Sequence, residues 1–317
     1  MSLRALYEDN LGLDTRDEIE TSGLSAQASL KAGWRTELAD FNIVTGAVRR
    51  EYDEDSDRNA TDLSIAASAT RTGDLNDTGL QLELDHDSTL TSELQTTGFV
   101  DEQISRRRKA ISPFWQYRFN ERSSVRFTLG HQVVNYEDAE NTSLVDYDYD
   151  TANVSINFRV TEVLLLLGQL DAYVFDPDSS QSRTRASGIL SGFEYSFSEI
   201  TSLTFQLGTR EARVGGESDR DHQASVNLQH QLETGTLEFG FRSFLTPGGS
   251  GELLQTRTSS LSWDQSLSAR WSSQSEIEEI RNDGSDLLTT SRGDRRYRRF
   301  LQRFRYRIDR EWSFDVA

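Results

Sequence analysis

From residue 24 to residue 35 the chain alternates without a break. Leu24, Ala26, Ala28, Leu30, Ala32 and Trp34 are apolar, while Ser25, Gln27, Ser29, Lys31, Gly33 and Arg35 fill the odd positions. A period of two sends the two sets to opposite faces of a strand. Similar alternation recurs along nearly the whole chain, in segments of about ten to fourteen residues separated by turn signals. Strands of soluble proteins average about five or six residues. A tilted strand that crosses a bilayer needs about nine to eleven. The expected fold is therefore all-β: a transmembrane antiparallel up-and-down β-barrel of about 16–18 strands when complete.

Composition fits that reading better than a soluble one. Hydrophobic residues make up 35% of 317, and mean hydropathy is −0.63. A barrel tolerates these values because its interior can be polar while lipid covers the apolar face. The longest aliphatic run is residues 163–167, Val-Leu-Leu-Leu-Leu, far short of the roughly twenty residues of a spanning helix. The absence of cysteine excludes disulfides, thiolate metal sites and a cysteine nucleophile. A net charge of −18 argues against nucleic acid as a partner. Much of the acid gathers between strands, at Asp53, Glu54, Asp55 and Asp57 and again at Glu137, Asp138 and Glu140. Solvated loops account for it, with divalent-ion binding at a lipopolysaccharide surface as the sharper alternative.

Connections alternate in length. Short ones are expected near 37–40, 73–77, 120–123, 159–162, 198–201, 233–236, 264–266 and 309–311. Long ones are expected near 10–21, 53–60, 87–106, 137–148, 176–184, 215–221, 246–255 and 282–296. Short periplasmic turns and longer external loops give an outer-membrane barrel this asymmetry. Trp34, Trp115, Trp263, Trp271 and Trp312 all fall near short turns. An interfacial aromatic girdle at one membrane surface explains that sorting. No domain boundary stands out, so residues 1–317 read as a single barrel domain. Met1 is followed by no apolar signal segment, and Trp312, Phe314 and Val316 begin a further strand. The chain is accordingly expected to lack its signal peptide and its last strand or strands.

The sharpest local feature is basic. Arg299, Arg303, Arg305 and Arg307 share one strand face with Leu301, and Phe300, Phe304, Tyr306 and Ile308 share the other with Gln302. Arginines along a pore wall attract anions and set selectivity. Glu276 and Glu278 on the neighbouring strand, and Asp315 on the next, are candidates to neutralise the ladder across strands. These arginines and Glu276 and Glu278 are the expected lumen-lining residues. Arg106, Arg107, Arg108 and Lys109 form a second basic run. It reads as an interfacial anchor or as a contact for lipopolysaccharide phosphates, through Arg106, Arg107 and Arg108. An enzyme is not expected. His86 and Ser88 share a face, but the segment Asp85-His86-Asp87-Ser88-Thr89 lacks the context of an outer-membrane phospholipase. No cofactor or metal motif is present.

One stretch carries a resemblance. It runs through Asp87-Ser88-Thr89-Leu90-Thr91-Ser92-Glu93-Leu94, then Arg106-Arg107-Arg108, then Ser112-Pro113-Phe114-Trp115-Gln116-Tyr117, and Asn120-Glu121-Arg122-Ser123-Ser124 before an amphipathic strand. It continues at Leu144-Val145-Asp146-Tyr147. It resembles a Gram-negative outer-membrane β-barrel family, some members of which accompany exopolysaccharide or PEP-CTERM-type sorting systems. The resemblance implies fold and location and carries no catalytic residues. The function expected from all of this is a passive channel or export conduit for polysaccharide or other anionic solutes. The alternative is a structural barrel with a plugged lumen and polymer-binding loops. Expected partners are outer-membrane lipid and lipopolysaccharide, and a polysaccharide or export-system component, without nucleic acid.

Overall fold

The computed structural model describes residues 2–8, 21–53, 59–89, 91–92, 103–178, 183–283, 295–307 and 313–316. Seventeen strands run through them. They are β1 (Ser2–Glu8), β2 (Thr21–Arg35), β3 (Ala39–Tyr52), β4 (Ala60–Thr72), β5 (Asn76–Ser88) and β6 (Ser105–Asn120). Next come β7 (Ser123–Tyr136), β8 (Tyr147–Arg159), β9 (Leu164–Pro177), β10 (Thr184–Ser198), β11 (Thr201–Val214) and β12 (Glu217–Leu232). The series ends with β13 (Gly235–Pro247), β14 (Leu253–Ser266), β15 (Trp271–Asp283), β16 (Arg295–Arg307) and β17 (Ser313–Val316). Each strand pairs antiparallel with the next in sequence. The architecture is thus all-β and up-and-down, as the alternation predicts. From β2 to β16 the strands are 13–16 residues long, enough to cross a bilayer at a tilt. No described helix is long and apolar enough to cross a membrane.

The registers keep apolar side chains in step from strand to strand. One row runs Phe158, Leu166, Phe193, Phe205, Val226 and Phe241 across β8–β13. Another runs Trp115, Phe127, Val154, Leu170 and Ile189 across β6–β10. On most of these strands a one-residue slip would bring polar or small residues into the rows, so the pattern itself pins the register there. Many members of this face are exposed, among them Leu30, Leu82, Leu129, Leu170, Ile189 and Phe300. The opposite parity is mainly polar.

The sheet curls with the polar parity inside. Val134 and Tyr136 on β7, Tyr147 on β8 and Phe175 on β9 pack in one cluster with Leu253 on β14. The Val145 N–H, between β7 and β8, donates to the Gly249 carbonyl between β13 and β14 (2.8 Å). Strands that distant in the ladder meet only if the sheet rolls up. Small residues on the inner parity help it to do so. A Cβ at Gly208 would run into the Ile189 carbonyl on β10, and one at Gly192 into the Phe205 carbonyl on β11.

Among the described residues the connections follow the expected alternation, with one correction, while the expected connection at 309–311 and parts of those at 10–21, 53–60, 87–106, 176–184 and 282–296 lie outside the described residues. The expected long loop at 215–221 is a two-residue hairpin. Val214 pairs with Glu217, and Gly215 and Gly216 adopt φ of 58° and 98°. Both values belong to a type I′ turn, which matches the twist of the flanking strands and needs residues without a Cβ penalty. Residues 217–221 therefore extend β12 instead of forming a loop. Trp34, Trp115, Trp263 and Trp271 are exposed beside short turns. Trp115 stacks on Phe127 at 5.5 Å, and Trp271 packs on Tyr306 at 4.8 Å. Trp312 lies outside the described residues.

Candidate functional site

The inner face is the candidate site, and its chemistry changes along its height. At the short-turn end it carries the β15–β16 arginines. Register places Arg299 opposite Glu278, Leu301 opposite Glu276, Arg303 opposite Gln274 and Arg305 opposite Ser272. Arg299 pairs with Glu278 at 2.7 Å and approaches Glu276 at 3.8 Å. Arg303 reaches Gln274 at 3.5 Å. Arg303 and Arg305 line a cleft of about 200 Å³ with Thr236, Asp264, Ser272 and Gln274. Arg307 begins that end of the strand, opposite Ser313. So Arg299 meets the two expected glutamates, while Arg303 and Arg305 face hydroxyls, amides and Asp264. The side chain of Asp315 lies outside the described residues.

A second wall, β3–β7, is internally neutralised. Arg106 makes two hydrogen bonds to Asp87, at 3.0 and 2.9 Å. Arg108 bonds Asp85 at 2.9 Å and also pairs with Glu83. Arg50 pairs with Asp62, and Arg118 with Asp77. Arg126 lies over the Phe114 ring at 3.8 Å. Arg106 and Arg108 thus point inward, whereas Arg107 is exposed on the outward parity and pairs with Glu137.

Toward the long loops the inner face becomes aromatic and then apolar. Tyr149 on β8 and Tyr173 on β9 stack, 6.1 Å between centroids and 12° between planes. The Arg210 guanidinium on β11 lies 5.6 Å over the Tyr173 ring. Arg210 is 4% exposed and Gln223, on β12, 1%. Gly188 on β10 makes room for this pair, since a Cβ there would stand 2.7 Å from Gln223 Nε2. Asp171 on β9 accepts from Asn153 Nδ2 (2.6 Å) and Gln169 Nε2 (2.9 Å). One inward position further, Tyr147 and Phe175 join Val134, Tyr136 and Leu253 in the apolar cluster. Asp146 secures the loop above it, accepting from Asn135 Nδ2 at 2.9 Å and the Tyr136 N–H at 2.8 Å.

Sequence reasoning missed this cluster, although a signal exists. Tyr147, Tyr149, Tyr173 and Phe175 sit on the polar parity of β8 and β9, and residues 163–175 read as apolar on both faces. An apolar run on the lumenal parity has to find cover inside the barrel. Its partner, Leu253, is far away in sequence.

The remaining chemistry is sparse. His131 bonds Asp150 at 2.7 Å and His230 bonds Thr201 at 2.8 Å, both on the outward parity. His86 stands opposite Leu63 and Arg107 on that same parity. Among the described residues no three His, Cys, Asp or Glu side chains gather as a metal site.

No family model and no curated protein matches the chain. Solved structures similar to it include the ferric preacinetobactin receptor BauA of Acinetobacter baumannii, at 13% identity and TM-score 0.47, covering 97% of this chain and 59% of that one. The FrpB iron transporter of Neisseria meningitidis is similar at 10% identity and TM-score 0.48, covering 97% and 59%. The ferric-catecholate import receptor Fiu of E. coli K12 is similar at 10% identity and TM-score 0.45, covering 98% and 63%. The chain spans about three-fifths of the length of these receptors. At this level of similarity their ferric ligands do not transfer to it.

Proposed function

We propose that the chain is an outer-membrane β-barrel whose charged lumen conducts small hydrophilic solutes and is gated by an apolar closure at the long-loop end. The observation that carries the reading is the change of chemistry on the inner face. That face is polar over most of its height, as an aqueous path requires. Near the long-loop end Val134, Tyr136, Tyr147 and Phe175 of that face gather with Leu253 of β14 in an apolar cluster. Apolar constrictions close pores by excluding water. The outer-membrane setting is supported by bilayer-length strands, an exposed apolar outer face and tryptophans at the short-turn edge.

The β16 arginines favour anions as the conducted solutes. Acidic polysaccharide is one solute class that such a ladder would suit. The second reading is a permanently closed barrel whose outer loops bind a surface polymer, and the same closure favours it.

Planar-bilayer conductance of the full chain separates the two. Wild type should conduct weakly and intermittently. The double substitution Phe175→Ser and Leu253→Ser should raise steady conductance several-fold. If the double variant inserts, stays heat-modifiable on a gel and remains sealed, the channel reading fails and the closed barrel stands.

A further inference from the structure

At the long-loop end the outward face turns basic. Arg257, Arg281 and Arg296 stand directly opposite one another on β14, β15 and β16. One outward position nearer the strand centres come Ser259, Glu279 and Arg298. One position further in come Leu261, Ile277 and Phe300, all exposed. An apolar row, a row holding one carboxylate, and a row of arginines therefore succeed each other at the edge of the lipid-facing surface.

Glu279 takes hydrogen bonds from Arg281 and Arg298, each at 2.8 Å, and from Arg296. The three side chains remain 48%, 67% and 48% exposed respectively. Like charges directly opposite across strands repel. Among the described residues one carboxylate serves Arg281, Arg296 and Arg298, so this cluster is cationic in a chain whose net charge is −18. Glu279 holds the guanidiniums together and leaves their other N–H groups available to a further anion.

The arrangement recurs elsewhere on the rim. Arg185 and Arg213 stand opposite each other on β10 and β11. Glu211 binds Arg213 at 2.6 Å and Arg220 at 3.2 Å. The exposed Ile189 lies two outward positions below Arg185. The short-turn edge of the same outward face carries tryptophan instead.

We infer that Arg281, Arg296 and Arg298 form a binding site for the phosphate of an outer-leaflet glycolipid, organised by Glu279. Arginine forks match phosphate oxygens and are only weakly hydrated, which suits a headgroup boundary. Position selects a lipid over a free anion. Successive outward residues lie roughly 6–7 Å apart along a strand. A phosphate on the arginine rows would thus leave acyl chains lying on Leu261, Ile277 and Phe300. The site rests on the outer-membrane reading above.

The test uses the full chain in detergent micelles and three probes: bis-phosphorylated lipid A, the same lipid after dephosphorylation, and inorganic phosphate. The variant is Arg281→Gln with Arg296→Gln and Arg298→Gln. Wild type should bind phosphorylated lipid A about tenfold or more tighter than the triple variant does, as loss of charge-assisted hydrogen bonds implies. Dephosphorylated lipid A should bind both proteins equally weakly. Equal binding of phosphorylated lipid A to both proteins would overturn the site. Inorganic phosphate binding wild type as tightly as the lipid would overturn the lipid as occupant. Glu279→Gln should weaken binding of phosphorylated lipid A less than the triple variant does, because it removes the carboxylate that gathers the guanidiniums and keeps the arginines, and unchanged binding there would overturn the organising role of Glu279. If the triple variant does not fold, Arg298→Gln alone decides, with a drop of roughly threefold expected. Fractionation of wild type keeps the two claims apart. A chain absent from outer membranes defeats the location, whereas a chain present there with equal lipid arms defeats this site alone.

Discussion

Arg210 shows how a single side chain can report on the lumen. A guanidinium that is 4% exposed needs compensation, because burial strips its water. It has the Tyr173 face and the nearby Asp171 carboxylate. Asp171 in turn is what Asn153 and Gln169 donate to. Replacing Asp171 with alanine therefore deprives two amides of their acceptor and removes a counter-charge in one step. The expected loss is about 1–3 kcal/mol from the orphaned polar groups. It would be read as a lower urea midpoint for the heat-modifiable folded form. Asp171→Asn keeps an acceptor oxygen for the amides and should retain part of that stability. If both variants unfold at the wild-type midpoint, the cluster is wet and Asp171 carries no structural weight.

At the scale of strands and turns, much was legible and the limits have physical causes. The alternations Leu80, Leu82, Leu84 and Val154, Ile156, Phe158 appear in the structure as outward rows, because a buried or lipid-facing parity dictates register locally. The inward Arg299, Arg303 and Arg305 follow from the same parity rule. That rule also sends Arg296 and Arg298 outward, which leaves them free of the lumen and available at the rim. The closure was not legible, since alternation says which face Phe175 takes and nothing about which distant strand the curl brings to it. The β11–β12 turn failed for a different reason. Gly215-Gly216 followed by Glu217, Ser218 and Asp219 has loop composition, and the backbone freedom of two glycines outweighed it. Gly216, with φ of 98° and no atom within 4 Å of a built Cβ, isolates that effect from packing. Gly216→Ala should cost about 1–2 kcal/mol from left-handed backbone strain alone. Equilibrium refolding would measure it, and a neutral result would mean that the hairpin adopts another turn at no cost.

For the whole molecule, the decisive asymmetry is between walls. On β3–β7 the inward arginines meet carboxylates nearly one for one, so that wall offers solutes hydrogen bonds and little net field. On β16 the inward arginines follow one another along the path, with Glu276 and Glu278 beside Arg299, Asp264 in the cleft that Arg303 and Arg305 line, and Asp315 opposite Arg305 in register. A path along β16 therefore meets guanidiniums at successive levels of the lumen's short-turn end. Fields inside a low-dielectric wall act strongly on passing ions. With the apolar closure opened by Phe175→Ser and Leu253→Ser, reversal potentials in a salt gradient should move toward cations when Arg303→Gln and Arg305→Gln are added. Replacing Arg50 and Arg118 together, whose charges Asp62 and Asp77 already offset, with glutamine should shift them less. The comparison turns on position and not on charge count, because each pair of changes removes two inward positive charges. If the Arg50 and Arg118 pair shifts the potential as much as the β16 pair does, net lumen charge sets selectivity and the ladder has no special part. If only the β16 pair does so, selectivity belongs to one strand, and the closure and the filter are separate devices at opposite ends of one barrel.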